Sequence, residues 1–233
     1  MALHTDLFPQ WATAPIADAC VRLQLPVRLA PTGLRSIAAG AAIAGPARPV
    51  RHHGSVDVFF EVFERTRSGD VIVIDNAGRL DEGCIGDLTV IEAKGAGAAG
   101  VVCWGAHRDT AELLRIGLPV FSYGTRPAGP ASLRPRPDDA LTRAPFGDVV
   151  VTADDYVFAD ADGALFVAAS MLEPVLREAH GIWTTEREHA RLAAAGTSLR
   201  QQFGFPEYLA RRAADPGYTL RQHLRSRGSA IEE

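Results

Sequence analysis

Two short segments carry the residue types that could do chemistry together. Gly83-Cys84-Ile85-Gly86-Asp87-Leu88-Thr89 is a glycine-rich turn that should end at the start of a helix. Backbone N–H groups at such a start have no intrahelical partners, and the helix dipole favours an anion there. A carboxylate or an enolate oxygen fits that description. The second segment, Arg108-Asp109-x-x-Glu112, also falls at a helix start after a strand. The Arg108 guanidinium can grip a carboxylate in bidentate fashion. The acids of the two segments, Asp87, Asp109 and Glu112, are hard oxygen donors of the kind magnesium prefers. That ion typically takes one or two carboxylates and keeps several waters. An anion grip, a metal and a water network are the minimum for stabilising an enolate. Taken alone, Asp109 reads as a helix N-cap and Arg108 as half of a surface ion pair. Equivalent placement on neighbouring α/β units favours the chemical reading, because both loops should then open on one edge of a sheet.

The elements that must do this positioning are legible as alternating patterns. Val71-Ile72-Val73-Ile74, Val101 to Trp104 and Gly117 to Phe121 read as buried strands. Between them lie a loop from Asn76 to Gly86, a helix from about Asp87 to Lys94, and a short helix beginning near Asp109. Strand, loop and helix in that order predict an α/β layer with parallel strands, whose carboxyl ends are the usual place for ligands. Upstream, Thr13-Ala14-Pro15 opens a capped helix, residues 34–51 read as irregular strands, and Ser55 caps a helix with Val56, Phe59, Phe60 and Phe63 on its apolar face. Residues 122–146 contain five prolines and read as a long exposed connection. Val149–Val151, Tyr156–Phe158 and Ala164–Val167 then predict antiparallel strands. Helical pattern returns over Met171 to Arg191 and around Tyr218 to Arg227, with Gly204 to Gly217 a loosely packed connection.

Several tempting motifs fail on context. Gly95-Ala96-Gly97-Ala98-Ala99-Gly100 matches G-x-G-x-x-G but follows a helix and opens a strand, the reverse of a dinucleotide site. It reads as a tight helix-to-strand turn. Asp160-Ala161-Asp162-Gly163 lacks the flanking ligands of a calcium loop and reads as a hairpin turn. His52, His53 and His189 have no partners at metal spacing and read as surface or satisfied histidines. Arg211, Arg212, Arg221, Arg225 and Arg227 read as a solvated helix face. Cys20, Cys84 and Cys103 are odd in number and widely spaced, which fits reduced thiols, Cys103 in the core and Cys84 in a glycine-flanked loop. The chain has 233 residues, 47% of them hydrophobic, enough for a full core. Its net charge of −4 argues against a general nucleic-acid binder. No stretch of the sequence has the length and apolarity of a membrane span or leader, so a cytoplasmic protein is the expectation.

Gly86-Asp87-Leu88, then 21 intervening residues between Gly86 and Arg108, then Arg108-Asp109-x-x-Glu112, resembles the 4-hydroxy-4-methyl-2-oxoglutarate aldolase family, also called RraA-like. The likeness runs from about Asp18 to Val167. It includes Ile43-Ala44-Gly45-Pro46-Ala47, Gly69 to Asp75, Gly117 to Phe121 and Asp160 to Gly163. The resemblance implies an α/β fold, a swivelling α/β/α sandwich with a C-terminal helical extension, over an aldolase domain at 1–196 and an extension at 197–233. It implies a homotrimer or homohexamer with sites between subunits, one acid of each site coming from the neighbour. The implied activity is Mg2+-dependent (or Mn2+-dependent) class II cleavage of 4-hydroxy-4-methyl-2-oxoglutarate-like 2-oxo acids to pyruvate, with oxaloacetate decarboxylation alongside.

Carried over by position, Arg108 and Asp87 are the catalytic residues. Gly86, Asp87, Leu88, Thr89 and Arg108 bind the substrate, the backbone amides of Leu88 and Thr89 included. Asp109 and Glu112 serve the metal, and a metal-bound water shuttles the proton. The partner implied is a small 2-oxo acid, with no nucleic acid and no membrane. Some RraA-like proteins bind and inhibit a ribonuclease instead, and those that lack aldolase chemistry typically lack the acid after the arginine, which this chain keeps. Trp104 and His107 depart from the family pattern and are expected to reshape the pocket. A non-catalytic regulator and a metal lyase or isomerase on a divergent substrate therefore stay open as alternatives.

Overall fold

The computed structural model describes residues 12–228. They include ten strands: β1 (Arg28–Leu29), β2 (Arg35–Ser36), β3 (Ile43–Arg51), β4 (Val71–Ile85), β5 (Gly100–His107), β6 (Val120–Ser122), β7 (Arg143–Phe146), β8 (Val149–Thr152), β9 (Asp155–Asp160) and β10 (Gly163–Ala168). The helices are α1 (Thr13–Arg22), α2 (Asp57–Phe63), α3 (Asp87–Gly95), α4 (Thr110–Ile116), α5 (Leu172–Ala194), α6 (Leu199–Gln202), α7 (Phe205–Ala214) and α8 (Leu220–Ser226). The chain divides into two compact units, one built on Val27–Glu173, the other on Pro15–Pro26 and the residues from Pro174 onward.

The first unit is organised by an eight-stranded mixed sheet in the order β1-β10-β9-β3-β4-β5-β6-β2. Its centre, β3-β4-β5-β6, is parallel, while β9 and β10 pair antiparallel beyond β3. Alternation along β4 shows how the sheet is held. Ile72 and Ile74 pack with Phe59 and Val62 of α2, Val90 of α3 and Leu113 of α4. Val71 and Val73 point the other way, into a second core with Phe146 and Val151 of the β7–β8 hairpin and Phe166 of β10. Successive strand residues face opposite sides, so a run of four β-branched residues suits a strand covered on both faces. Each such side chain fully removed from water contributes about 1.5–3 kcal/mol.

Five expectations need correction. The segment from Asn76 to Gly86 is not a loop: β4 continues to Ile85, with register shifts against β5 at Asp75/Arg79, Arg79/Gly83 and Gly83/Ile85. Bulges of this kind let a glycine-rich stretch keep pairing while bending. Cys84 is accordingly buried on that strand, not set in an open loop, and burial raises its thiol pKa well above the ordinary value. Gly204 to Gly217 holds a helix, α7, entered through Gly204 in the left-handed region with Pro206 in its first turn. Residues 122–146 are not wholly an exposed connection, since they include β7 and bury Ala140, Ala144 and Phe146. Ser55 does not cap α2, whose N-cap is Val56 without a side-chain bond, and Val56 and Phe60 are exposed while Phe59 and Phe63 are buried. Gly95–Gly100 is the α3-to-β5 turn, and Asp160 pairs with Gly163 across the β9–β10 hairpin, as read. Among the described residues no helix is long and apolar enough to cross a membrane.

Candidate active site

The two chemistry-bearing segments meet where β4 and β5 end and α3 and α4 begin. The Arg108 N–H donates to the Ile85 carbonyl at 2.9 Å, tying the two strand ends together. Asp109 stands at the N-cap position of α4, but its backbone is left-handed (φ 59°, ψ 39°) and its side chain makes no capping bond. Its carboxylate turns instead toward the first turn of α3. Asp109 Oδ2 lies 3.4 Å from the Asp87 backbone N–H, a long hydrogen bond, and 3.3 Å from Arg108 Nε. A left-handed aspartate is uncommon and mildly costly, and such conformations gather at functional sites.

Glycine makes the approach possible. A Cβ on Gly86 would fall 2.3 Å from Asp109 Oδ2 and 3.0 Å from Arg108 Nε. One on Gly129 would fall 2.9 Å from an Arg108 terminal nitrogen. The Arg108 side chain thus runs through a slot with two bare-backbone positions on its walls. The stretch 126–128 is pinned as part of that slot: Arg126 N–H donates to the His107 carbonyl at 2.8 Å, and Gly83 N–H donates to the Ala128 carbonyl at 2.7 Å. Position 129 carries no signal in a single sequence beyond being a glycine among prolines.

The remaining acids are placed differently. Asp87 Oδ1 accepts from the Leu88 N–H at 2.7 Å, so the amide assigned to substrate by resemblance is occupied by the neighbouring carboxylate. Leu88 is 72% exposed, and the Thr89 N–H in the first turn has no intrahelical acceptor. Glu112, in the first turn of α4, pairs with Arg115 at 2.6 Å. Among the described residues no group of three or more His, Cys, Asp or Glu side chains is set to hold a metal.

Trp104 and His107, which depart from the family pattern, make contacts of their own. Trp104 packs against Phe146, with ring centroids 6.0 Å apart, and over Gly78. His107 is buried, with Nδ1 2.7 Å from Ser122 Oγ and Nε2 2.9 Å from Thr110 Oγ1. Burial lowers its pKa, so the ring is neutral near pH 7 with both nitrogens engaged. The nearby Asp109 charge opposes that effect of burial on His107.

Beside this site sits a polar cluster that sequence reasoning missed. Glu82 is buried and accepts a two-pronged bond from Arg134, at 3.0 and 3.1 Å. Asn76 Oδ1 accepts from Arg134 at 3.1 Å and lies 2.9 Å from His52 Nδ1. His52 is not a surface histidine. It stacks on Phe59 at 5.1 Å, and burial holds its pKa below the ordinary value. No local pattern in the sequence marks Glu82 or Arg134, since each has another charged residue one or two positions away.

A parallel-centred α/β sheet with an arginine and a carboxylate together at the carboxyl ends of its strands places them where α/β proteins usually bind ligands. The family model described as RraA-like, Aldolase/RraA, matches residues 13–166, and the chain belongs to that family. A putative 4-hydroxy-4-methyl-2-oxoglutarate aldolase from Dechloromonas aromatica (strain RCB) is 34% identical over 105 residues, 45% of this chain and 63% of that protein. The match therefore spans somewhat less than two thirds of that relative's length. Among solved structures, an uncharacterized protein from Pseudomonas syringae pv. tomato superposes with a TM-score of 0.74 at 25% identity, over 84% of this chain and 94% of the other. Streptomyces coelicolor RraAS2, described as an unusual member of the RNase ES inhibitor RraA family, does so with a TM-score of 0.67 at 28% identity, over 76% and 89%. The family includes aldolases, and it is metal-dependent.

Proposed function

We propose that the chain is a divalent-metal-dependent lyase that cleaves a 4-hydroxy-4-methyl-2-oxoglutarate-like 2-oxo acid to pyruvate, with oxaloacetate decarboxylation as a side activity. The observation that carries this reading is Asp109. It occupies an N-cap position yet withholds its carboxylate from its own helix and presents it, in a left-handed backbone, to Arg108 and the α3 N-terminus. A merely structural N-cap would bond its own N2 or N3 amide.

The donor set fits a hard cation. Asp109 would hold the metal and Asp87 would order its waters, with further oxygen ligands from water and a neighbouring subunit; Glu112 would need to leave Arg115 to join them. When bound, magnesium supplies a Lewis acid that draws electron density from the 2-oxo group. The chain's own residues do the rest. Arg108 binds the substrate carboxylate through its paired N–H groups and fixes the 2-oxo acid in register. The Thr89 N–H, and the Leu88 N–H once Asp87 swings away, donate to the same end of the substrate. Together they neutralise the charge that grows on the 2-oxo oxygen as the carbon–carbon bond breaks. His107 is not the base, since both its nitrogens are committed. Assembly as a trimer or hexamer belongs to this proposal.

The test is pyruvate release from oxaloacetate and from 4-hydroxy-4-methyl-2-oxoglutarate, with magnesium or with EDTA, beside Asp109→Ala. Metal-dependent release that disappears in the variant supports the lyase. Magnesium binding without release points to a divergent substrate. Absence of both turnover and metal binding overturns the lyase and favours a protein-binding regulator.

A further inference from the structure

The last residue of β5, the last of β6 and the first of α4 are joined through one imidazole. His107 Nδ1 lies 2.7 Å from Ser122 Oγ, and Nε2 lies 2.9 Å from Thr110 Oγ1. Between His107 and Thr110 stand only Arg108 and Asp109, the residues on which the proposed chemistry turns. We infer that His107 is a positioning residue, whose bridge from Ser122 to Thr110 holds Asp109 in the left-handed conformation that aims its carboxylate at the α3 N-terminus. The hold on Asp109 is a property of the fold alone, and its effect on metal and turnover rests on the lyase reading.

The conformation of Asp109 needs a cause. Its φ of 59° is uncommon for any residue but glycine, and its side chain makes no capping bond. Its contacts to the Asp87 N–H, 3.4 Å, and to Arg108 Nε, 3.3 Å, are longer than ordinary hydrogen bonds. Such a backbone persists only where its surroundings over-determine it. Here the surroundings are the frame around His107. The His107 N–H donates to the Gly124 carbonyl at 2.9 Å, and its own carbonyl accepts from the Arg126 N–H at 2.8 Å. The Arg108 N–H, on the Ile85 carbonyl at 2.9 Å, fixes the next peptide. Beyond Asp109, its carbonyl accepts from the Leu113 N–H at 3.0 Å and so begins α4. The Nε2–Thr110 bond closes these four residues into a loop whose two ends are both anchored. A right-handed residue 109 would send Thr110 in another direction and break that closure.

The opposing effects are of similar size. A residue held in this region costs about as much free energy as one buried hydrogen bond contributes, so losing the Thr110 bond alone is enough to tip the turn. His107 is buried, so water competes little for its ring. Serine and threonine hydroxyls both donate and accept, so either neutral tautomer satisfies both partners. Ser122 is held in turn, its hydroxyl donating to the Gly124 carbonyl at 3.3 Å.

The test compares, in the full chain, Thr110→Val, which keeps the shape and loses the hydroxyl, with Thr110→Ser, which keeps the hydroxyl. His107→Gln and His107→Asn go beside them, because a glutamine amide reaches the place of Nε2 and an asparagine amide only that of Nδ1. Crystal structures without metal give φ at residue 109, calorimetry gives magnesium affinity, and oxaloacetate turnover gives kcat and KM separately. In Thr110→Val and His107→Asn residue 109 should leave the left-handed region, with magnesium affinity and kcat each down about tenfold. KM should stay within about threefold, because Arg108 keeps its slot and still grips the substrate carboxylate. Thr110→Ser and His107→Gln should keep residue 109 left-handed and hold every value within about threefold of the parent. A Thr110→Val chain that melts lower but keeps residue 109 left-handed and its magnesium affinity intact overturns the proposal, as does an equal loss in Thr110→Ser. A parent that neither binds magnesium nor releases pyruvate fails the lyase reading instead, and φ at residue 109 then decides this one. Should the His107 variants fail to fold, the Thr110 pair decides.

Discussion

Gly86→Ala is a sharp perturbation because the backbone tolerates it and the site does not. Gly86 is extended (φ −143°, ψ −166°), a conformation open to any residue. Alanine there places a methyl 2.3 Å from Asp109 Oδ2, 3.0 Å from Arg108 Nε and 3.1 Å from Arg108 Cγ. Ordinary carbon–oxygen contact needs about 3.3 Å, so the carboxylate must retreat by roughly 1 Å. Both side chains are partly exposed and can swing outward, so the fold should lose less than about 1 kcal/mol. A reacting group displaced by about 1 Å costs on the order of 100-fold in rate. The expected outcome is pyruvate release down by about 100-fold, magnesium affinity reduced, and a melting temperature within about 4 °C of the parent. A variant that keeps full turnover and full magnesium affinity would refute the placement of the Asp109 carboxylate at the α3 N-terminus.

Other outcomes follow from the same geometry. Glu82→Gln should cost about 3 kcal/mol at pH 7, read by chemical denaturation, because it leaves the Arg134 guanidinium without its carboxylate. Burial opposes ionisation of Glu82, yet the bonds from Arg134 outweigh it and the pKa is lowered. Its stabilisation is therefore present above the unfolded value of about 4.3 and fades as pH falls through the lower folded value, so the gap between variant and parent should close below about pH 4. His52 and His107 titrate below their ordinary value because burial penalises the charged ring. Stability should drop as pH falls below about 6.5, and an unfolding midpoint unchanged between pH 7.5 and 5 would contradict this. Gly78→Ala puts a Cβ 2.9 Å from Trp104 Nε1 at φ +67°, and should cost about 1–3 kcal/mol with a shift in tryptophan emission.

The parts of the fold that were legible in the sequence are those where one local rule decides. Val71 to Ile74 is a strand on β-branched content alone, and Gly95 to Gly100 can only be a turn between elements of known polarity. The continuation of β4 through Asn76 to Ile85 was hidden because its pairing is paid out in bulges against β5, a tertiary arrangement that no local pattern encodes. The same blindness moved Cys84 from a loop to the core. At the site, residue type and spacing pointed to Arg108, Asp109 and Asp87, but the occupation of the Leu88 amide by Asp87 and the turn of Glu112 toward Arg115 are matters of rotamer. The Glu82–Arg134 pair joins residues 52 positions apart, with nothing between them to announce it.

The left-handed backbone of Asp109 has a consequence for how such a chain can change over time. Besides glycine, the residues that occupy that conformation most readily are asparagine and aspartate. A single-step change to asparagine or glycine would remove the negative charge while leaving the strand-to-helix junction undisturbed. Loss of the chemistry is then nearly free of structural penalty, whereas replacement by a β-branched or bulky residue is not. Under the proposed lyase reading, position 109 is a point where a lineage can discard turnover and keep its scaffold, and where a chain that still carries the acid does so without help from folding.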